Sequence, residues 1–93
     1  MNALAGAVRV PDGVLFWEVG GEAVLLELES GRYFGLDPMG TRMWTLLTHY
    51  RCLEPVYQCL LEEYEVAGDS LREDLVAFVD WLVDNKLLQV DEE

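Results

Sequence analysis

The sequence predicts one α+β domain over residues 1–93, in which a three-stranded antiparallel sheet is followed by a three-helix bundle. A chain of 93 residues can enclose one hydrophobic core and is too short for a second. Up to Leu36 the apolar residues form short runs separated by glycine-containing turns, which is typical of strands. From Asp37 onward they recur at helical spacing. Because the strands precede the helices and do not alternate with them, the expected class is α+β.

The first two predicted strands form a hairpin. Val14–Val19 is apolar apart from Glu18, and Gly20 and Gly21 follow it. A Gly-Gly pair between two strand-like runs is a hairpin signal. The second strand, Ala23–Glu29, alternates late in its length, with leucines on one face and glutamates on the other.

The third predicted strand, Arg32–Leu36, follows a turn at residues 30–31. Phe34 and Leu36 share one of its faces, because side chains alternate along a strand. A helix follows at once, and the sequence offers no later strand to pair with the outer side of this one. We therefore expect the third strand to be an edge of the sheet, with unpaired N–H and C=O groups.

Capping residues mark the first two helices. Asp37 is a good N-cap and Pro38 a good first helical residue, and apolar residues at helical spacing continue to about Thr48. Glu54 and Pro55 open the second helix, which carries one apolar stripe.

The third helix begins after Gly68, at Asp69 or Ser70, and runs to about Asn85. Two apolar stripes run along it, about 100° apart. The first is narrow and suffices to dock the helix on a core: Leu71, Leu75, Phe78 and Leu82. The second holds three valines, an arginine on the same arc and an aspartate at its rim: Arg72, Val76, Val79, Asp80 and Val83. The pattern allows the second stripe to be either more core or one wall of a groove for an extended peptide.

The charge of the chain is strongly negative and unevenly distributed. There are 18 acidic and 6 basic residues, a net charge of −12, and residues 54–93 hold twelve acids against Arg72 and Lys86. Proteins that bind nucleic acids gain most of their affinity by neutralising phosphates, so we expect no nucleic-acid partner. The charge is explained either by a solvated surface or by a preference for a basic partner.

We expect a cytoplasmic chain that does not enter a membrane. Its longest uncharged apolar stretch, Ala3–Val8, is far shorter than the roughly 20 residues of a membrane span. The same segment lacks the basic and apolar regions of a signal peptide. Cys52 and Cys59 do not have the spacing of a zinc site, and we expect both to stay reduced.

The sequence carries no recognisable catalytic constellation. His49 is the only histidine and falls near a helix end, where capping or surface roles are common. There is no G-x-S-x-G elbow, phosphate loop or dinucleotide fingerprint. The paired carboxylates are adjacent residues on helices and diverge across the surface. We therefore predict a protein that is not an enzyme and holds neither a metal nor a cofactor.

Residues 29–44, ESGRYFGLDPMGTRMW, resemble the PqqD family. The family pattern is a turn glycine, an aromatic residue, a leucine, Asn or Asp, a glycine, an apolar residue and a tryptophan. Those places are filled by Gly31, Phe34, Leu36, Asp37, Gly40, Met43 and Trp44. Residues 78–88 are similar to the closing helix of the family, except that Lys86 stands where the family usually has glycine. The resemblance spans roughly residues 8–90.

This resemblance implies a winged-helix-like fold and a binding function. The family recognises the leader of ribosomally made precursor peptides and holds it as an added strand against the third strand, beside the third helix. Carried over to this sequence, the edge and the wall are Arg32, Tyr33, Phe34, Gly35, Leu36, Arg72, Val76, Val79, Asp80 and Val83.

Among members of this family, the chain looks most like the discrete leader-binding proteins of lasso-peptide biosynthesis. Those proteins work with a leader peptidase and a cyclase. An alternative is a pyrroloquinoline-quinone-type chaperone that presents a precursor to a radical SAM enzyme. A winged-helix DNA-binding protein is an alternative from another class, and the net charge disfavours it.

Overall fold

Three antiparallel strands and three helices follow one another along the chain, as predicted. The computed structural model describes residues 6–91. The elements are β1 (Ala7–Arg9), β2 (Val14–Val19), β3 (Glu22–Glu27), β4 (Arg32–Gly35), α1 (Pro38–Tyr50), α2 (Leu53–Glu63), α3 (Gly68–Asp84) and β5 (Gln89–Asp91). The α+β class is confirmed, and two short strands, β1 and β5, add to it.

The main sheet has the strand order β2-β3-β4, and both pairings are antiparallel. Gly20 and Gly21 connect β2 to β3 with φ angles of 62° and 83°. Positive φ at both central residues suits a tight hairpin turn, and glycine adopts it without strain. Within the described residues β4 pairs with β3 alone, so the predicted edge strand is confirmed.

β3 ends at Glu27, two residues earlier than predicted. The Glu27 side chain is buried, and its carboxylate accepts the N–H groups of Glu29 and Ser30. Such local bonds to the backbone compete with continuation of a strand ladder. The chain therefore turns at this point and enters β4.

β1 and β5 form a second sheet that joins the two ends of the described chain. Val8 pairs with Val90 in antiparallel register, and the Val8 N–H group donates to the carbonyl of Arg51 over 2.8 Å. The sequence does not predict these strands as a pair, because three residues are too few to show a period and their contact is non-local. Residues 3–5 of the apolar stretch Ala3–Val8 lie outside the described part.

The predicted caps position the helices. Asp37 is the N-cap of α1, and its Oδ1 atom accepts the Gly40 N–H group over 2.7 Å. α3 begins at Gly68, one residue before the predicted start, after an Ala67 cap that makes no side-chain bond. A Cβ atom at Gly68 would lie 2.7 Å from the Tyr57 hydroxyl, so close packing against α2 favours glycine there.

The core lies between the inner face of the sheet and the three helices. Its fully buried side chains include Leu25 of β3, Trp44 of α1, Leu60 of α2 and Leu75 of α3. Phe16 of β2 packs edge-on against Trp44, with ring centroids 5.5 Å apart. No helix among residues 6–91 is long and apolar enough to cross a lipid bilayer.

Candidate peptide-binding site

The free edge of β4 presents the backbone groups of alternate residues. Leu36 donates its N–H group to the carbonyl of Ala23 over 2.9 Å, toward β3. In an antiparallel ladder, every second residue turns its N–H and C=O groups to the same neighbour, so Phe34 shares that direction. The intervening residues, Tyr33 and Gly35, therefore turn these groups away from β3. Tyr33 and Gly35 are two residues apart, which is the spacing at which residues of an added strand form hydrogen bonds.

Thr41 fixes one end of this edge to the first turn of α1. Its hydroxyl accepts the Ala23 N–H group over 2.7 Å and donates to the Leu36 carbonyl over 3.4 Å. The buried Thr41 hydroxyl thus stands between the Ala23 N–H group and the Leu36 carbonyl, which would otherwise bond to each other directly. The sequence alone does not single out Thr41, because Thr45 and Thr48 lie in the same helix.

The wall beside β4 is an aromatic face of α3. The Trp81 ring lies edge-on to Phe34, with centroids 5.6 Å apart, and Phe78 stacks beside Trp81 at 6.2 Å. Asp74 and Asn85 share this face. Positions 74, 78, 81 and 85 are four, three and four residues apart, and residues at these spacings lie on the same side of a helix. Trp81 is 39% exposed, so its indole is available to a ligand.

An apolar pocket lies at the Gly35 end of the groove. Its volume is about 370 Å³, and Met39, Met43, Phe78 and Trp81 form its apolar lining. Asp37 and Asp74, both exposed, contribute the carboxylates of this pocket. The arrangement suits a bulky apolar side chain, with a cation next to it.

A smaller and more polar pocket lies at the Arg32 end. It encloses about 280 Å³, and Arg32, Asp84, Asn85 and Lys86 contribute to its lining. The Arg32 guanidinium also lies 5.1 Å above the centroid of the Phe34 ring. Charged groups of both signs meet here, so this end suits a polar part of a ligand.

The residues of the valine stripe, which was predicted as the wall, lie in different surroundings in the structure. Val79 is 4% exposed and belongs to the core, which is the alternative that the sequence had left open. The Arg72 guanidinium lies 5.2 Å above the Tyr57 ring of α2, and Val76 packs against the core. Val83 lines a cavity of about 620 Å³ beside β5, which shares Glu27, Glu29 and Lys86 with the polar pocket at the Arg32 end.

None of the predicted wall residues lines the two groove pockets, and their role in peptide binding stays a prediction. The five residues of this wall are centred about 170° around α3 from the face that carries Phe78 and Trp81. Asp80 is exposed on the outer side of the helix. Phe78 packs against the core beside the buried Leu75 and Leu82, as its place in the docking stripe predicts, and it also lines the apolar pocket of the groove.

The resolved pKa shifts belong to the contact between α1 and α2. Arg42 makes two hydrogen bonds to the Glu63 carboxylate, at 2.8 and 2.5 Å. These bonds lower the pKa of Glu63 and raise that of Arg42. Both side chains are partly exposed, so solvent screens the pair and its stabilisation is modest.

No cluster of three or more His, Cys, Asp or Glu residues in the described part could hold a metal ion. Cys52 and Cys59 are free thiols. The groove offers hydrogen-bonding edges, aromatic surfaces and carboxylates, which are groups for binding a peptide.

The sequence profile described as Coenzyme PQQ synthesis protein D (PqqD) matches residues 22–88. The chain belongs to the PqqD family. No curated protein matches it significantly.

Two solved structures are similar to the whole domain of this PqqD-family member. One is "TbiB1 in Complex with the TbiA(beta) Leader Peptide", which is 33% identical, covers 91% of this chain and 99% of its own, and superposes with a TM-score of 0.85. The other is "Lasso peptide synthetase B1 complexed with the leader peptide", with 25% identity, coverage of 89% and 98%, and a TM-score of 0.82.

Proposed function

We propose that this chain is a non-catalytic recognition protein of lasso-peptide biosynthesis, which binds the leader of a ribosomally made precursor in the cytoplasm. The observation that carries the proposal is the open edge of β4 beside the aromatic wall of α3. The two similar structures support it, since both are leader-peptide complexes with nearly complete coverage. Membership of the PqqD family agrees with it.

The leader adds to β4 as a further strand. Tyr33 and Gly35 hold its main chain, because their N–H and C=O groups point to the open side. Main-chain pairing tolerates varied sequence, so specificity comes from side-chain pockets. The pocket formed by Met39, Phe78 and their neighbours takes a bulky apolar leader residue, and Asp74 favours a basic residue near it.

The bound precursor is delivered to a leader peptidase and then to a cyclase. We assign the chemistry to those partners, because the open strand edge and the apolar pocket of this chain are features of a peptide-binding site. A pyrroloquinoline-quinone-type chaperone would share the family profile. The two lasso-peptide structures favour the lasso pathway.

Fluorescence polarisation with the labelled leader of the pathway tests this function. We expect saturable binding with a dissociation constant of about 1 μM or lower, equivalent to about −8 kcal/mol. Mass spectrometry of the same mixture should show an unaltered peptide. Cleavage or modification by the purified chain alone would contradict the non-catalytic part, and a flat titration would contradict leader recognition.

A further inference from the structure

The two ends of the groove beside β4 carry opposite charges. Asp37 and Asp74 contribute carboxylates to the apolar pocket at one end, and Arg32 and Lys86 contribute cations to the polar pocket at the other. β4 has four residues, so about 10 Å of extended chain separates its two ends. A single leader strand is therefore long enough to reach both pockets.

The two cations of the polar pocket form no ion pair with any residue that the structure describes. The ion pairs among residues 6–91 engage Arg9, Arg42 and Arg72 instead. Arg32 and Lys86 are exposed, and the Arg32 guanidinium stacks above a phenylalanine ring, which occupies none of its N–H donors. Both side chains can therefore donate hydrogen bonds to an anionic group of a ligand.

The carboxylates of the same pocket do not satisfy these cations. Glu27 is buried, and its two oxygens accept the N–H groups of Glu29 and Ser30. Glu29 and Asp84 are exposed, so solvent and salt screen their charges. A leader carboxylate that touches a guanidinium or an ammonium group gains charge-assisted hydrogen bonds, which outweigh screened repulsion from carboxylates that it does not touch.

Lys86 occupies its place in this pocket at the expense of backbone strain. Its φ angle is 62°, and the hydrogen bond from the Leu87 N–H group to the Leu82 carbonyl closes across it. Glycine adopts this left-handed conformation without a steric penalty, whereas lysine does not. Strained residues persist where the surrounding structure determines them, and they cluster at functional sites. A binding role that glycine could not perform accounts for lysine at this position.

We propose that Lys86 determines leader specificity by binding an aspartate or glutamate side chain of the leader strand, with Arg32 as a second donor. This inference rests on the proposed function. Asp37 and Asp74 select a basic leader residue at the other end, so the groove recognises a strand whose charge changes sign along its length. A leader bound in the reverse direction would place like charges together at both ends, and this repulsion fixes the orientation of the strand.

The first test varies the charge at position 86 and measures the affinity for the labelled leader of the pathway by fluorescence polarisation at low salt. Lys86→Met removes the cation and keeps a long side chain, so we expect binding about threefold weaker, as for a partly exposed ion pair. Lys86→Glu places like charges together and should weaken binding about tenfold, with both losses shrinking at high salt. Lys86→Arg is the matched control and should bind as wild type does. Equal affinity of all four folded proteins would overturn the inference.

The second test identifies the leader residue that Lys86 binds. Each aspartate or glutamate of the leader is replaced, one at a time, by asparagine or glutamine, and each peptide is titrated against wild type and Lys86→Met. We expect one replacement to weaken binding to wild type about threefold and to have no further effect on Lys86→Met, because the two changes remove the same contact. If every replacement affected wild type and Lys86→Met equally, Lys86 would bind no leader carboxylate and the inference would be wrong.

A third variant, Lys86→Gly, separates binding from stability. It loses the cation and relieves the backbone strain, so its leader affinity should fall as that of Lys86→Met does while its thermal stability rises. A purely structural lysine would give the opposite result, a more stable domain with unchanged affinity, and would refute the inference. A wild type that fails to bind the leader refutes the proposed function and this inference together, whereas wild-type affinity that Lys86→Glu leaves unchanged refutes the inference alone.

Discussion

Trp81 is the residue at which the helix and the sheet sides of the groove meet. Its ring contacts Phe34 of β4 and Phe78 of α3, and it also lines the apolar pocket. Because a large part of the indole is exposed, truncating it removes binding surface at little expense to the core. Val83 lies two residues away on the other side of the helix and lines a different cavity.

We therefore expect Trp81→Ala to weaken leader binding about tenfold or more, which is typical of a buried aromatic anchor at an interface. Val83→Ala is the matched control and should bind the leader as wild type does. Fluorescence polarisation measures both variants, and circular dichroism checks their folding. The reverse ranking of the two variants would restore the valine wall predicted from the sequence.

Lys86, at a position where the PqqD family usually has glycine, adopts an unfavourable backbone conformation. Its φ angle is 62°, in the left-handed region, and the Leu87 N–H group donates to the Leu82 carbonyl across it. This is the bonding pattern of a Schellman cap, which favours glycine at the left-handed position. This left-handed backbone conformation explains why the family usually has glycine at this position.

Lys86→Gly should consequently stabilise the domain by about 1 kcal/mol, since glycine avoids the left-handed penalty and gives back part of it as unfolded-state entropy. Urea denaturation measures the change, and Lys86→Ala is the control that removes the charge and keeps the strain. If Lys86→Ala stabilised the domain as much as glycine does, the charge and not the backbone would be responsible.

At the scale of elements, local signals determined what the sequence could predict. Gly20, Gly21 and Asp37 mark the hairpin and the first helix through the chemistry of a few adjacent residues, and the structure has both. β1 and β5 depend on contact between chain ends, which no local pattern reports. The groove face of α3 was also beyond prediction, because Trp81 belongs to neither apolar stripe and only tertiary packing brings it against Phe34 of β4.

The edge of β4 gives a prediction that needs no knowledge of the leader sequence. The Gly35 N–H group points away from β3, so Gly35→Pro removes a donor to the leader and no bond within the sheet. Gly35→Ala keeps the N–H group, and its Cβ meets open space. We expect the proline variant to lose leader binding by about tenfold or more and the alanine variant to retain most of it.

A complementary measurement changes the ligand. N-methylation of successive leader amides should weaken binding with a two-residue period, because only alternate amides face β4. Uniform tolerance to methylation, or a bound leader that is helical by NMR, would leave the groove as a binding site and eliminate strand addition.

At the scale of the whole molecule, the net charge distinguishes between peptide binding and DNA binding, two functions that a winged-helix-like fold permits. Winged-helix-like folds can present a helix to DNA, and α3 is exposed along one side. The domain nevertheless carries 18 acidic residues against 6 basic ones. Non-specific DNA binding depends on cations that displace counterions from phosphates, and a strongly negative surface opposes it.

We accordingly expect no retardation of duplex DNA in an electrophoretic assay at low salt, with protein up to about 100 μM, where non-specific binders of ordinary affinity are detected. The same protein preparation should bind the leader, which shows that it is folded and active. A saturable shift at low salt would contradict this expectation. It would mean that a few basic residues, Arg32 and Lys86 at the end of the groove among them, outweigh the charge of the whole domain. Leader binding should then compete with DNA, so adding unlabelled leader to the shifted complex distinguishes a shared groove from a separate site.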